Sequence, residues 1–133
     1  PGHAYVFFVY GMHWHFNVVV ARAGEPHAVL IRAVEPLEGL DLMATRRGMS
    51  PDRVELTNGP GKLCEAFGID RAHYAADLCK GPLFVTRGTR ARVARTTRVG
   101  IDYAGAWANR PWRLYEPVYR YFPKPPRASP RPK

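Results

Sequence analysis

Three apolar, strand-prone runs crowd the first 34 residues and constrain the fold more than any other feature of the chain. Ala4–Tyr10 and Phe16–Ala21 flank Gly11 and Met12, and Ala28–Val34 follows a polar loop. Enrichment in β-branched and aromatic residues between glycine and polar clusters predicts strands at about 4–10, 13–21 and 28–34. The first two close as a hairpin with Tyr10, Gly11 and Met12 at its tip. Two polar side chains, Asn17 and Arg32, interrupt this otherwise apolar sequence. An amide buried without a partner costs ~1–3 kcal/mol, and a charge is rarely buried unless paired. Both residues therefore need a local reason to be there. An aromatic on an exposed tip, backed by a few polar groups in an apolar wall, suits wedging into a base stack and holding a displaced base.

Beyond this block the signals become shorter and mixed. Glu35-Pro36 ends the third run, and apolar residues at 37, 40 and 43–44 give Leu37–Arg47 a helical spacing. Gly48–Asp52 reads as a loop and Thr57–Gly61 as a turn. A short helix is predicted over about 62–67, stopping at Gly68. Pro82–Thr86 suggests a strand, Arg87–Arg98 a strand or loop with a basic face, and Val99–Gly105 and Trp112–Tyr115 two further short elements. Strands and helices without a regular βαβ rhythm indicate an α+β class. Residues 1–116 read as one domain. Residues 117–133, with six prolines and five basic residues, read as a basic, Pro-rich, disordered tail.

Charge is unevenly placed. Residues 1–79 hold seven basic and nine acidic residues, whereas residues 80–133 hold thirteen basic and two acidic ones. Sixteen of the twenty basic residues are arginine, whose planar fork suits phosphate and stacks on rings. Nucleic acid is the leading partner on charge. Cys64 and Cys79 form neither a disulfide framework nor a zinc pattern, and Cys64 reads as a small core residue that suits a reducing compartment. The histidines lack metal-ligand spacing. No apolar stretch approaches the ~18 residues a membrane span needs, and no signal peptide is recognisable.

Five blocks then carry a resemblance. Val9–Met12 followed by Asn17, Ile31–Gly39, Asn58–Cys64, Arg98–Ile101 and Arg110–Tyr115 are together similar to the alkyladenine (3-methyladenine) DNA glycosylase family, in the family's order. The resemblance implies a mostly antiparallel curved sheet with a protruding β-hairpin and a few short helices, the methylpurine-DNA glycosylase fold. It implies a monomeric base-excision repair enzyme that flips alkylated or deaminated purines from damaged double-stranded DNA. The N-glycosidic bond is hydrolysed without metal or cofactor, in the bacterial cytoplasm or a eukaryotic nucleus. Tyr10 matches the intercalating tyrosine, with Met12 and His13 beside the gap; His13 departs from the tyrosine of some members. Phe7 matches an aromatic pocket wall, on which a cationic, alkylated base is held better than a normal one. Asn17 matches the pocket asparagine that crowds the 2-amino group of guanine. Arg32 matches the arginine that helps hold the attacking water, and Val99 the residue whose backbone carbonyl meets that water. Lys62 matches a phosphate-contacting lysine, and Arg47 is a weaker candidate for the same role.

The family's general base is a glutamate in a Val-Glu-Thr-Glu-Ala-Tyr-like segment before the hairpin, and no such segment occurs in this sequence. The chain therefore reads as the C-terminal two-thirds of a glycosylase, inactive alone because hydrolysis needs a carboxylate to activate water. Two alternatives come from other classes. A non-catalytic DNA- or RNA-binding module explains the basic half and the tail, yet gives no reason for Asn17 and Arg32. An interaction protein explains an apolar hairpin that packs on a partner.

Overall fold

The computed structural model describes residues 1–117 and Tyr121. It is an α+β arrangement of two small antiparallel sheets and short helices. Strands β1 (Ala4–Val9), β2 (His13–Val19) and β3 (Ala28–Leu30) form the first sheet in the order β1-β2-β3. Alternation divides its side chains between two faces. Ala4, Val6 and Phe16 turn to the core, while Tyr5, Phe7, His15 and Asn17 take the other face. The pairs Tyr5–Asn17 and Phe7–His15 stand opposite each other across the hairpin.

Helix α1 (Leu40–Arg47) starts later than its apolar spacing suggests, because Gly39 precedes it with φ 74° and Leu37 lies in solvent. At the other end Gly48 takes a left-handed conformation, and its N–H bonds back to Ala44 and Thr45, the usual glycine stop. Helix α2 (Pro60–Phe67) begins two residues earlier than expected. Proline is favoured in a first turn, where its missing N–H has no partner to lose. One apolar cluster joins the sheet to α2 through Ala4, Val6, Phe16, Leu63, Cys64, Ile69 and Leu78. A second joins α1 to α2 through Met43, Ala44, Leu56 and Ala66. Helix α2 is thus the wall the two clusters share.

Strand β3 is shorter than the run 28–34. Ile31 still donates to Phe16 at 3.0 Å, after which the chain leaves the sheet and Val34 pairs with Thr57 instead. Thr57 is fully buried, and its hydroxyl donates to the Val34 carbonyl at 2.6 Å. The strand expected at Pro82–Thr86 is absent. Val85 donates to the Leu78 carbonyl at 2.9 Å, but no strand among the described residues pairs with this stretch, and Phe84 and Val85 face solvent. Of the basic run, Ala94–Thr96 forms β4, which pairs with β5 (Arg113–Tyr115) as the second sheet. Two 3-10 turns within Asp102–Asn109 are separated by a break at Gly105 (φ 57°, ψ −130°). The tail expected at 117–133 lies outside the described residues, apart from Pro117 and a buried Tyr121. Among the described residues no helix is long and apolar enough to cross a membrane.

Candidate functional site

The β1–β2 connection is a tight turn in which Met12 N–H donates to the Val9 carbonyl at 3.1 Å. Tyr10 and Gly11 both have positive φ, 54° and 64°, the signature of the type I′ turns that match strand twist. Glycine adopts this region freely, whereas a tyrosine there carries backbone strain of ~1–2 kcal/mol. The Tyr10 side chain stands 86% exposed, and Met12 is also largely in solvent. At the base of the turn His13 rests on α2. A Cβ added to Gly61 would come within 2.9 Å of the His13 Cβ and Cγ.

Behind the tip, the face opposite the core gathers Phe7 and Asn17. Asn17 is 7% exposed, and its amide donates to the Tyr5 carbonyl at 3.2 Å. That contact supplies the partner its burial requires. Phe7 packs tilted against Tyr5 at 5.3 Å and edge-on to His15 at 5.6 Å, while Tyr74 meets Tyr5 edge-on at 6.1 Å. Arg32 follows Ile31 just past the end of the sheet, and its charge acts on the His15 imidazole. Phe7, His15 and Asn17 therefore share one face, with Arg32 close enough to act on it.

Electrostatics on this face is one-sided. Burial first, and the Arg113 guanidinium second, hold Arg32 below the ordinary arginine range. Burial pulls Arg113 down too. Burial, His13 and Arg32, in that order, lower the His15 imidazole. Arg32 forms no ion pair with the nearby Glu35 or Glu38 among the described residues. Its buried Nε has no hydrogen-bond partner among them either. No strand residue on this face is acidic. The arrangement is a half-open aromatic wall with one fixed amide and a cationic floor, suited to a flat ring and to an anion or electron-rich oxygen beside it.

The remaining candidates make contacts of their own. Lys62, in the first turn of α2, donates to the Asn58 side chain at 3.0 Å. Arg47 is turned inward, donating to Glu65 at 2.7 Å and to the Glu55 carbonyl at 3.3 Å, so its guanidinium clamps α1 to α2. Val99 is exposed, next to an Arg98 that donates to the Trp107 carbonyl at 3.2 Å. His15, Tyr5 and Tyr74 join the wall without having been singled out in the sequence. Stepping two residues back from Asn17 and from Phe7 would have found the first two. Arg113 reaches Arg32 through tertiary folding alone, with no local signal. No group of three or more metal-ligating side chains occurs among the described residues.

The family model for methylpurine-DNA glycosylase matches residues 1–119. A protein of Methanocella arvoryzae bearing the name "Putative 3-methyladenine DNA glycosylase" is 47% identical over 118 residues, covering 87% of this chain and 59% of its own length. Proteins of the same name from Desulfitobacterium hafniense and Salinibacter ruber are each 48% identical over 124 residues. Those two alignments cover 86% and 91% of this chain, and 61% and 58% of the relatives. The chain thus spans about three-fifths of the length of these relatives.

Proposed function

The chain belongs to the methylpurine-DNA glycosylase family, and on that premise we propose that the whole protein is a base-excision repair glycosylase. It flips alkylated or deaminated purines, of the 3-methyladenine or hypoxanthine type, out of damaged duplex DNA and hydrolyses their N-glycosidic bonds as a monomer. In this reading the β1–β2 hairpin protrudes from a curved sheet into the minor groove. The Tyr10 ring fills the gap, with Met12 and His13 against the neighbouring bases. Phe7 stacks on the flipped ring, and Asn17 crowds the 2-amino group that guanine carries. Lys62 grips phosphate; Arg47 is a weaker candidate for that role, because its ion pair with Glu65 would first have to open.

Water attacks the sugar carbon as the bond to the purine breaks, and a carboxylate takes the proton of that water. Arg32 and the Val99 carbonyl orient the water. The carboxylate is assigned to a segment of the longer polypeptide that these 133 residues do not contain. An acid opposite Arg32 would meet a buried Nε that has no hydrogen-bond partner among the described residues. The 133 residues alone bind DNA in a salt-sensitive way and release no base.

One observation carries this reading: an almost wholly exposed tyrosine at a hairpin tip, with Phe7 and Asn17 on a single face behind it and the Arg32 charge acting on His15 of that face. Base stacking is worth ~1–3 kcal/mol per base. Tyr10→Ala in the longer protein is therefore expected to weaken binding to abasic or lesion-bearing duplex by roughly one order of magnitude, with little change on undamaged duplex. Equal losses on both DNAs would refute the wedge. Release of hypoxanthine by the 133-residue chain would refute its inactivity.

A further inference from the structure

We propose that Trp107 and Trp112, with Arg98 and Arg110, form a stacking platform for unpaired nucleotides, a nucleic-acid contact separate from the Tyr10 hairpin. The two indole rings lie 5.4 Å apart with planes tilted by 34°. Arg98 sits over Trp112 at 5.1 Å and Arg110 over Trp107 at 5.4 Å. The four groups thus run arginine, tryptophan, tryptophan, arginine. The backbone builds this row: Gly105 breaks the 3-10 segment before Trp107, Arg110 N–H donates to the Trp107 carbonyl at 3.3 Å, and Trp112 N–H donates to the Arg110 carbonyl at 2.8 Å. Arg98 ties the opposite side down through its 3.2 Å bond to the Trp107 carbonyl.

Trp107 is 55% and Trp112 51% exposed, with Tyr103 more exposed still. Large rings left in water beside two guanidinium groups call for an occupant with both flat faces and negative charge. Arg87–Arg98 carries five arginines and no acid, and residues 80–133 hold thirteen basic residues against two acidic ones. A nucleic-acid strand meets both demands, since every base has a π face and every link a phosphate. An intact duplex meets the second alone, because its bases already stack on one another. Arg98 spends one N–H on the Trp107 carbonyl and buries its Nε, so Arg110, exposed above Trp107, is the guanidinium left to meet phosphate. The platform also lies near the wall behind Tyr10: Arg113, next in the chain after Trp112, lowers Arg32 by its charge.

The test compares a fluorescein-labelled oligothymidine of about ten nucleotides with a duplex of equal length, by anisotropy at one fixed salt concentration. The joint change Trp107→Ala, Trp112→Ala is expected to weaken oligothymidine binding at least about fivefold and duplex binding by less than about twofold. Trp107→Phe, Trp112→Phe keeps most of the affinity, because the smaller rings still offer a face for stacking. Oligothymidine is also expected to quench the indole emission of the unaltered chain, which keeps the test decisive if the alanine pair fails to fold. Absence of quenching, equal losses on both DNAs, or no loss on either would overturn the platform. So would a dimer seen in sedimentation that the phenylalanine pair dissolves, because the occupant would then be a second copy of the chain.

Discussion

His15 shows how one side chain can couple the candidate site to pH. Its imidazole lies between Phe7 and Arg32, and burial, His13 and Arg32 all disfavour its charged form. Above the ordinary imidazole value of 6.5 it is neutral in both folded and unfolded chains and contributes nothing to pH dependence. As pH falls below 6.5, the unfolded chain takes up the proton first, so stability is lost down to the lowered folded value. The melting temperature of the unaltered chain should therefore drop more between about pH 7.5 and about pH 5.5 than that of His15→Gln. Parallel curves for the two proteins would show that His15 is not the group responsible. Asn17 and Arg32 stood out in the sequence because polarity is conspicuous in an apolar run. His15 did not, because a histidine beside a tryptophan and a phenylalanine reads as part of a mixed strand.

Between elements, the decisive contact is that of the hairpin with the first turn of α2. Gly61→Ala gains helix propensity of up to ~1 kcal/mol. It also drives a methyl group to 2.9 Å from His13, and overpacking of this kind costs ~1–3 kcal/mol. The net expectation is a loss of about 1 kcal/mol, read as a melting point several degrees lower. Adding His13→Gly removes the obstructing carbons and should restore most of the loss; a double variant no better than Gly61→Ala would place the strain elsewhere. Elements with a strong internal pattern were legible in the sequence: the alternating hairpin, α1, and α2 with its Gly68 stop. Elements that depend on a distant partner were not. Pro82–Thr86 has strand composition but no strand beside it among the described residues, and Ala94–Thr96 is a strand because Arg113–Tyr115 pairs with it.

Across the whole molecule, the two apolar clusters meet on α2, and Cys64 sits where the hairpin packs against that helix. Cys64 is buried, and burial pushes its thiol up to about 11. A thiol reagent near neutral pH should accordingly modify Cys79, which is exposed, and spare Cys64 until the fold opens. Cys79→Ser should then show no fast-reacting thiol under native conditions. Rapid labelling of both positions would mean that α2 separates readily from the sheet.

The type I′ turn has a consequence for any encounter with a double helix. Two successive left-handed residues give the loop one preferred shape, so the phenol is already cocked outward before contact, with no hinge through which to fold away. In the proposed reading the protein acts as a stiff probe and the duplex supplies the deformation. Steps that unstack cheaply would then yield first, and inspection would begin wherever the DNA is softest.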